Sequence, residues 1–308
     1  MLLSRVAEQL YWAARYLERA EDTARVVAEH TNLLVDLPTS VPLTWEPLLA
    51  VPGLRKTFDE RYDTADERSI IRFLLSDRDN PSSVLAAVTS ARESLRTARE
   101  VVPREAWQAL NDQYLYVASH HVEGVDRRSR GRFLDKVIAE NRRFVGILAG
   151  TMSRDPAYRM LQLGRNVERA DMTSRVLDVR AVALLTTGDE TRPAHDDVQW
   201  AAVLRSLSAL QPYHSRVRAP IDGRLTVDFL LRDPDFPGSI RHCLGEIEQV
   251  LADLPRAEAP LAAARAASRT LEDVAGSPLD RLHDGLDDVQ VALASVHDQV
   301  ASTYFSPH

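Results

Sequence analysis

The chain has 308 residues, enough for one large core or two ordinary ones, and its 44% hydrophobic and 27% charged residues exclude a disordered protein. Its net charge of −7 gives no reason to expect nucleic acid or an anionic membrane surface as a partner. The single cysteine, Cys243, excludes an intrachain disulfide and a cysteine-based zinc site. Twelve glycines and 6% aromatics, beside abundant Ala, Leu, Arg and Glu, favour helices. The basic residues are almost all arginine, with lysine only at Lys56 and Lys136.

Taken in chain order, the opening MLLSRVAEQLYWAAR lacks the apolar run of a signal peptide and enters an amphipathic helical pattern over 3–36. The proline-spaced loop LPTSVPLTWEP ends it. Asn80-Pro81 is expected to open a helix running to about 101, and patterns over 104–120 and 126–150 follow. Asp155 suits an N-cap and Pro156 a first helical position, so a second long helix is expected there, ending in the loop TTGDETRPAHDD. Phe236-Pro237 is expected to open a helix to about 253, and patterns over 258–275 and 279–304 complete the chain. No period-2 strand with hairpin turns stands out. No run approaches the roughly 18–20 apolar residues of a membrane span, and the chain reads as cytoplasmic. Cys243, in IRHCLGEIE, reads as a small core residue.

The sequence also repeats itself. RYLERAEDTAR (15–25) aligns with RNVERADMTSR (165–175), with Arg15/Arg165, Glu18/Glu168, Arg19/Arg169, Ala20/Ala170, Thr23/Thr173 and Arg25/Arg175 identical. Trp45 faces Trp200, and FLLSDRDNPSSV (73–84) matches FLLRDPDFPGSI (229–240). Three blocks in the same order imply two copies of one helical unit, about 1–150 and 151–308. The expected fold is all-α: an elongated helical bundle of two pseudo-twofold-related copies, forming one domain over 1–308.

On a helical wheel Tyr16, Leu17, Ala20, Ala24 and Val27 form an apolar side, and Arg15, Glu18, Arg19, Asp22 and Arg25 gather opposite. One account is a solvated face strengthened by Glu21–Arg25 and Arg15–Glu18 pairs, each adding about 0.2–0.5 kcal/mol. Yet the charged positions persist in both copies while Asp22 becomes Met172, which points to a covered face. Covered charges must be paired. Arg15, Glu18, Arg19 and Arg25 are then expected to meet Arg165, Glu168, Arg169 and Arg175, or flanking helices. Such a network is either purely structural or a site, with arginine forks for a carboxylate or phosphate and Glu18 or Glu168 as acid, base or ligand.

The stretches SRVAEQLYWAARYLERAEDTARVV, FLLSDRDNPSSV and LQLGRNVERADMTSRVL together resemble the alpha-E family of bacterial helical proteins, over essentially the whole chain. The resemblance implies an all-α protein encoded beside a circularly permuted ATP-grasp amidoligase and a transglutaminase-like protein. It therefore implies a system that makes or modifies peptide-like amides, with these two proteins as partners. The family's glutamate and arginine positions correspond to Glu18, Arg19, Arg25, Glu168, Arg169 and Arg175.

Other chemistry is weakly signalled. A di-iron bundle needs Glu-x-x-His pairs, and none occurs, so no metal is expected. His120-His121 with Glu123 reads as a solvated helix end, and His214 and His242 are isolated. Asp77, Asp79, Asp233 and Asp235 read as turn formers before helices, with a magnesium cluster the weaker reading. Arg92, Glu93 and Asn111 are polar residues that could line a cleft with the repeated motif. There is no P-loop, dinucleotide fingerprint or nucleophile elbow, so no nucleotide cofactor is expected. The leading expectation is an accessory component of an ATP-grasp-dependent amide-forming system, with the duplicated Arg/Glu site binding substrate or partner. The alternatives are a free-standing enzyme on the same amide product, with Glu18 or Glu168 as general acid/base, and a structural homo-oligomer.

Overall fold

A computed structural model describes residues 2–38, 44–187, 196–278 and 281–306. The described residues form fourteen α-helices and one short 3-10 turn, without a strand. In chain order these are α1 (Ser4–Asp36), α2 (Pro47–Ala50), α3 (Arg55–Asp59), α4 (Glu67–Leu75), α5 (Val84–Thr97), α6 (Arg104–Val125) and α7 (Arg130–Thr151). There follow α8 (Pro156–Thr187), α9 (Asp196–Ser206), α10 (Leu210–Val217), α11 (Gly223–Arg232), α12 (Ile240–Ala252), α13 (Glu258–Val274) and α14 (Leu282–Tyr304). The all-α class is as expected. Most of the loop TTGDETRPAHDD and the middle of LPTSVPLTWEP lie outside the described residues.

The two longest helices, α1 and α8, form the centre. They run side by side in the same direction: Ala14 lies against Gly164, Arg19 against Glu168, and Val26 and Val176 line one hollow further on. Their approach is close because Gly164 has no Cβ; one placed there would lie 2.2 Å from the Tyr11 carbonyl oxygen. Around this pair, α1 packs on α5, α7 and α9, while α8 packs on α12 and α14. One apolar cluster joins the first half of α1 to α8 and the C-terminal helices; a second joins its later half to α4, α5, α6 and α7. The charged stretch of α1 lies where the two meet.

Helix starts follow local chemistry, with one correction. Asp155 accepts from the backbone N–H groups of Ala157 and Tyr158 at 3.0 and 3.1 Å, and α8 opens at Pro156 as expected. Asn80-Pro81 and Phe236-Pro237, by contrast, lie in turns before their helices. The caps are Ser83 and Ser239, whose hydroxyls accept from the N–H of Ala86 and of His242. Asn80 is spent on the turn: its amide donates to the Phe73 carbonyl and its Oδ1 accepts from Ser82. The repeated aspartates serve these turns, since Asp77 and Asp233 accept from the backbone of Asp79 and Asp235. Arg61 then bridges Asp77 and Asp79, and Arg216 bridges Asp233 and Asp235. His120 and His121 lie inside α6, which continues to Val125, rather than at a helix end.

Candidate functional site

The sequence pattern that repeats is buried in both helices. Glu18 and Glu168 are each only 1% exposed, although each is flanked by charged neighbours. Burial at this depth requires partners, and α1 and α8 exchange them. Arg19 donates from Nε to Glu168 Oε1 at 2.5 Å, and Arg169 donates from Nε to Glu18 Oε1 at 2.5 Å. Arg15 adds a second guanidinium to Glu168, at 2.7 Å, so the expected Arg15–Glu18 pair is replaced by an inter-helix one. Arg15 also stands 5.2 Å over the Trp12 ring. Burial works to raise the Glu168 pKa, but Arg19 and Arg15 outweigh it and hold the carboxyl below its ordinary range.

The other three arginines behave differently. Arg25 pairs within its own helix, with Glu21 at 2.9 Å and Asp22 at 3.1 Å, and Arg175 pairs with Asp171 at 2.8 Å. Arg165 lies near Glu18 in a small hollow of about 30 Å³, where its Nε is buried without a hydrogen-bond partner. Arg169 faces two ways: beyond Glu18, its Nη1 reaches the Pro237 carbonyl at 3.5 Å.

That outer side of Arg169 lines a cavity of about 360 Å³, within the size range of small-ligand sites. Glu21, Asp22 and Arg25 of α1 form one wall, Arg142 and Gly146 of α7 another, and Arg169 and Thr173 of α8 a third. The turn at Leu207-Ser208 and the turn Phe236-Pro237-Gly238 close the remaining sides. Thr173 donates to the Gly238 carbonyl at 3.0 Å, fixing the second turn to α8. At the mouth, Ser208 accepts from Arg25 Nη1 at 2.7 Å and Arg142 Nη2 at 3.0 Å. Ser208 holds a left-handed backbone, φ +54°, a conformation that costs free energy for a residue with a Cβ. The Arg142 side chain is 59% exposed, so the mouth opens to solvent.

Inside, Glu21 is shared by Arg25, Arg142 and the amide of Asn141. Asp22 has one contact, from Arg25 to Oδ1, while its Oδ2 is buried with no partner. Burial comes first in pushing the Asp22 pKa up to about 8; Glu18 and Glu21 push the same way, against Arg25 and Arg169. The cavity walls thus carry three guanidinium groups, one each from α1, α7 and α8, beside an α1 carboxyl that titrates near neutrality.

Arg142, Asn141 and Ser208 were not legible as site residues, because α7 and the turn after α9 carry no repeated signal. Asp22 sat in the charged arc but dropped out of the repeat, since Met172 takes its place. Arg92, Glu93 and Asn111 gather between α5 and α6, where Arg92 donates to Asn111 at 3.0 Å and stacks over Tyr114; none of them lines the cavity. Asp178, His283 and Asp287 form the one group among the described residues close enough to share a cation. It lies at a partly exposed edge of α8 and α14, where the hydrogen bond that His283 Nδ1 gives to Asp178, at 2.5 Å, raises the His283 pKa. Cys243 is fully buried, and burial pushes its thiol up to about 12.

The chain belongs to the Alpha-E family, described as a predicted alpha-helical domain with a conserved ER motif, which matches residues 2–305. The Glu-Arg dipeptide occurs here at 18–19, 60–61, 67–68 and 168–169; the first and last are the two that clasp each other. The chain is 24% identical over 269 residues to uncharacterized proteins of Mycobacterium bovis and of Mycobacterium tuberculosis strain CDC 1551. It is 23% identical over the same length to one of M. tuberculosis strain H37Rv. Each match covers 82% of this chain and 30% of the relative, so the chain spans under a third of the length of these relatives. No solved structure matches. No described helix is long and apolar enough to cross a membrane.

Proposed function

We propose that this Alpha-E protein is an accessory, binding component of an amide-forming system, holding an anionic, peptide-like substrate for a neighbouring ATP-dependent ligase. The observation that carries the reading is the cavity beside the α1–α8 pair, where Arg25, Arg142 and Arg169 converge and two of them meet on one serine hydroxyl. Forked guanidinium groups at a concave, half-open site suit carboxylate or phosphate recognition. A cluster of arginines in a chain of net charge −7 marks that spot for an anion. The sequence has no nucleotide-binding motif of its own, which leaves activation by ATP to a partner. The family resemblance supplies the partners: a circularly permuted ATP-grasp protein and a transglutaminase-like protein, in the cytoplasm. The relatives' greater length fits a unit that works beside other domains.

The same reading makes the two halves, 1–150 and 151–308, copies of one unit within a single elongated bundle. The reciprocal Arg19–Glu168 and Arg169–Glu18 pairs and the matching Arg61 and Arg216 bridges support it. In that architecture Arg15, Arg19, Glu18, Glu168 and Arg169 set the register between copies, and the cavity does the binding.

The alternative is a free-standing enzyme with Glu18 or Glu168 as general acid/base. It asks a glutamate to change protonation near neutrality while arginines clasp it, which works against it. The test is reconstitution with the ligase. Amide formation that falls at least tenfold with Arg142→Ala, while ATP hydrolysis by the ligase alone is unchanged, supports the accessory reading. Turnover by this chain alone, lost in the Glu18→Gln/Glu168→Gln double variant, would replace it with the enzyme reading.

A further inference from the structure

Three acids stand on one turn of α1: Glu18, Glu21 and Asp22. All three are buried, Asp22 at 4% exposure, yet they are unequally matched. Glu18 has Arg169; Glu21 has Arg25, Arg142 and Asn141. Asp22 receives only Arg25 Nη2, the nitrogen that also serves Glu21. Asp22 lines the cavity, and its Oδ2 is buried without a partner. An ionised carboxylate with a bare buried oxygen is strongly disfavoured, and like charges one and four residues away add to that. A protonated carboxyl instead needs one acceptor, which an oxygen of a bound ligand supplies.

We propose that Asp22 keeps its proton at neutral pH and donates it, as a hydrogen bond from Oδ2, to a carboxylate-bearing ligand seated against Arg25 and Arg142. The inference rests on the cavity being the anion site argued above and identifies the chemistry it selects. The charged groups that face Asp22 are Glu18, Glu21 and Arg25 of α1 and Arg169 of α8, with Arg142 of α7 across the cavity; the turns contribute Ser208 and backbone carbonyls. With Asp22 neutral, three arginines face two glutamates, which leaves one positive charge for the ligand. A single carboxylate matches that charge. A phosphate dianion exceeds it and brings its second charge against Glu18 and Glu21. Once Asp22 ionises, the excess positive charge is gone and a bare carboxylate points at the ligand. The rise of the Asp22 carboxyl to about 8 places this change just above neutrality.

The experiment is a calorimetric titration of the full chain with N-acetylglycine, a peptide C-terminus in its smallest form, at pH 6.5 and pH 9.5. The ligand stays ionised at both. Wild type is expected to lose affinity roughly 30-fold at the higher pH, the change in protonated fraction of a group titrating near 8. Asp22→Asn, which keeps a donor but cannot ionise, is expected to bind at both pH values with equal affinity. Wild-type affinity that does not change with pH overturns the inference and leaves the cavity reading standing. So does an Asp22→Asn variant that keeps the full loss, since another group then carries the proton. Inorganic phosphate binding more tightly than N-acetylglycine overturns the carboxylate assignment. Binding by neither wild type nor variant at either pH removes the anion site itself.

Discussion

Arg19 and Glu168 meet at 2.5 Å across the α1–α8 seam, 149 positions apart in the chain, and Arg169 and Glu18 repeat the contact in reverse. Each helix gives the other an arginine and takes one back. Such an exchange fixes register as well as compensating buried charge: sliding α8 by one residue would separate both pairs at once. It also explains why a helix as charged as α1 occupies the middle of the protein, since its polar arc is matched by an equal arc facing it.

The two glutamates are unequal, and their replacement separates them. Glu168→Ala strands both Arg15 and Arg19 and is expected to cost about 3–5 kcal/mol, the range for breaking a buried pair. Glu18→Ala strands Arg169 alone, which keeps a contact to the Pro237 carbonyl, so its cost is expected to be smaller. Urea unfolding of both variants checks the order. Equal, small losses would mean that water reaches the network and compensates the arginines.

Gly164 offers a test of the close approach. Replacing a mid-helix glycine with alanine normally stabilises by roughly 0.5–1 kcal/mol. At Gly245 of α12, where a Cβ meets nothing within 4 Å, that gain is expected. At Gly164 the new methyl meets the Tyr11 carbonyl at 2.2 Å, so Gly164→Ala is expected to destabilise by more than about 2 kcal/mol through forced separation of α1 and α8. A gain at both positions in thermal melts would show that the seam is loose.

Much of the architecture was legible in the sequence, and the reason is physical. Helix composition, the Asp155-Pro156 start and the absence of alternating strands reflect local preferences that packing did not override. The short helices α2, α3, α4, α9, α10 and α11 were missed because most of them span too few turns to show a period. Of the candidate site, the repeated arginines and glutamates stood out through their spacing, and Met172 in the charged arc pointed to a covered face. Arg142 and Ser208 could not stand out, because they reach the cavity from other elements, and Asn141 meets Glu21 only once α7 packs on α1. Asp22 shows the same limit: what distinguishes it is the lack of a partner, which no pattern of residues records.

Asp22 also ties stability to pH. Its pKa rises from about 4 in the unfolded chain to about 8 in the folded one. The folded state therefore binds this proton more tightly. Its contribution is fully present below about pH 4 and is lost as pH rises through 8. Asp22→Asn removes that slope, so the variant is expected to gain on wild type between pH 5 and pH 9, on the order of 4 kcal/mol. Chemical denaturation at the two pH values measures the difference. A variant whose stability relative to wild type is the same at both would mean that Asp22 titrates as an ordinary carboxyl.

Ser208 combines two opposing effects, and two substitutions resolve them. Its left-handed backbone favours glycine, because a Cβ crowds the neighbouring carbonyl at φ +54°. Its hydroxyl, in turn, holds Arg25 and Arg142 together at the mouth of the cavity. Ser208→Ala keeps the strained backbone and deletes the hydroxyl, so it is expected to lose about 1 kcal/mol, the contribution of a hydrogen bond to a charged group that stays partly solvated. Ser208→Gly deletes the same hydroxyl but relieves the backbone, and is expected to be more stable than the alanine variant by about 1 kcal/mol. That order is the reverse of the one alanine and glycine show within a helix. Urea unfolding of the three proteins gives the comparison directly. If alanine proves the more stable of the two variants, the turn relaxes out of the left-handed region once the hydroxyl is gone, and the arginine contacts are what hold Ser208 there.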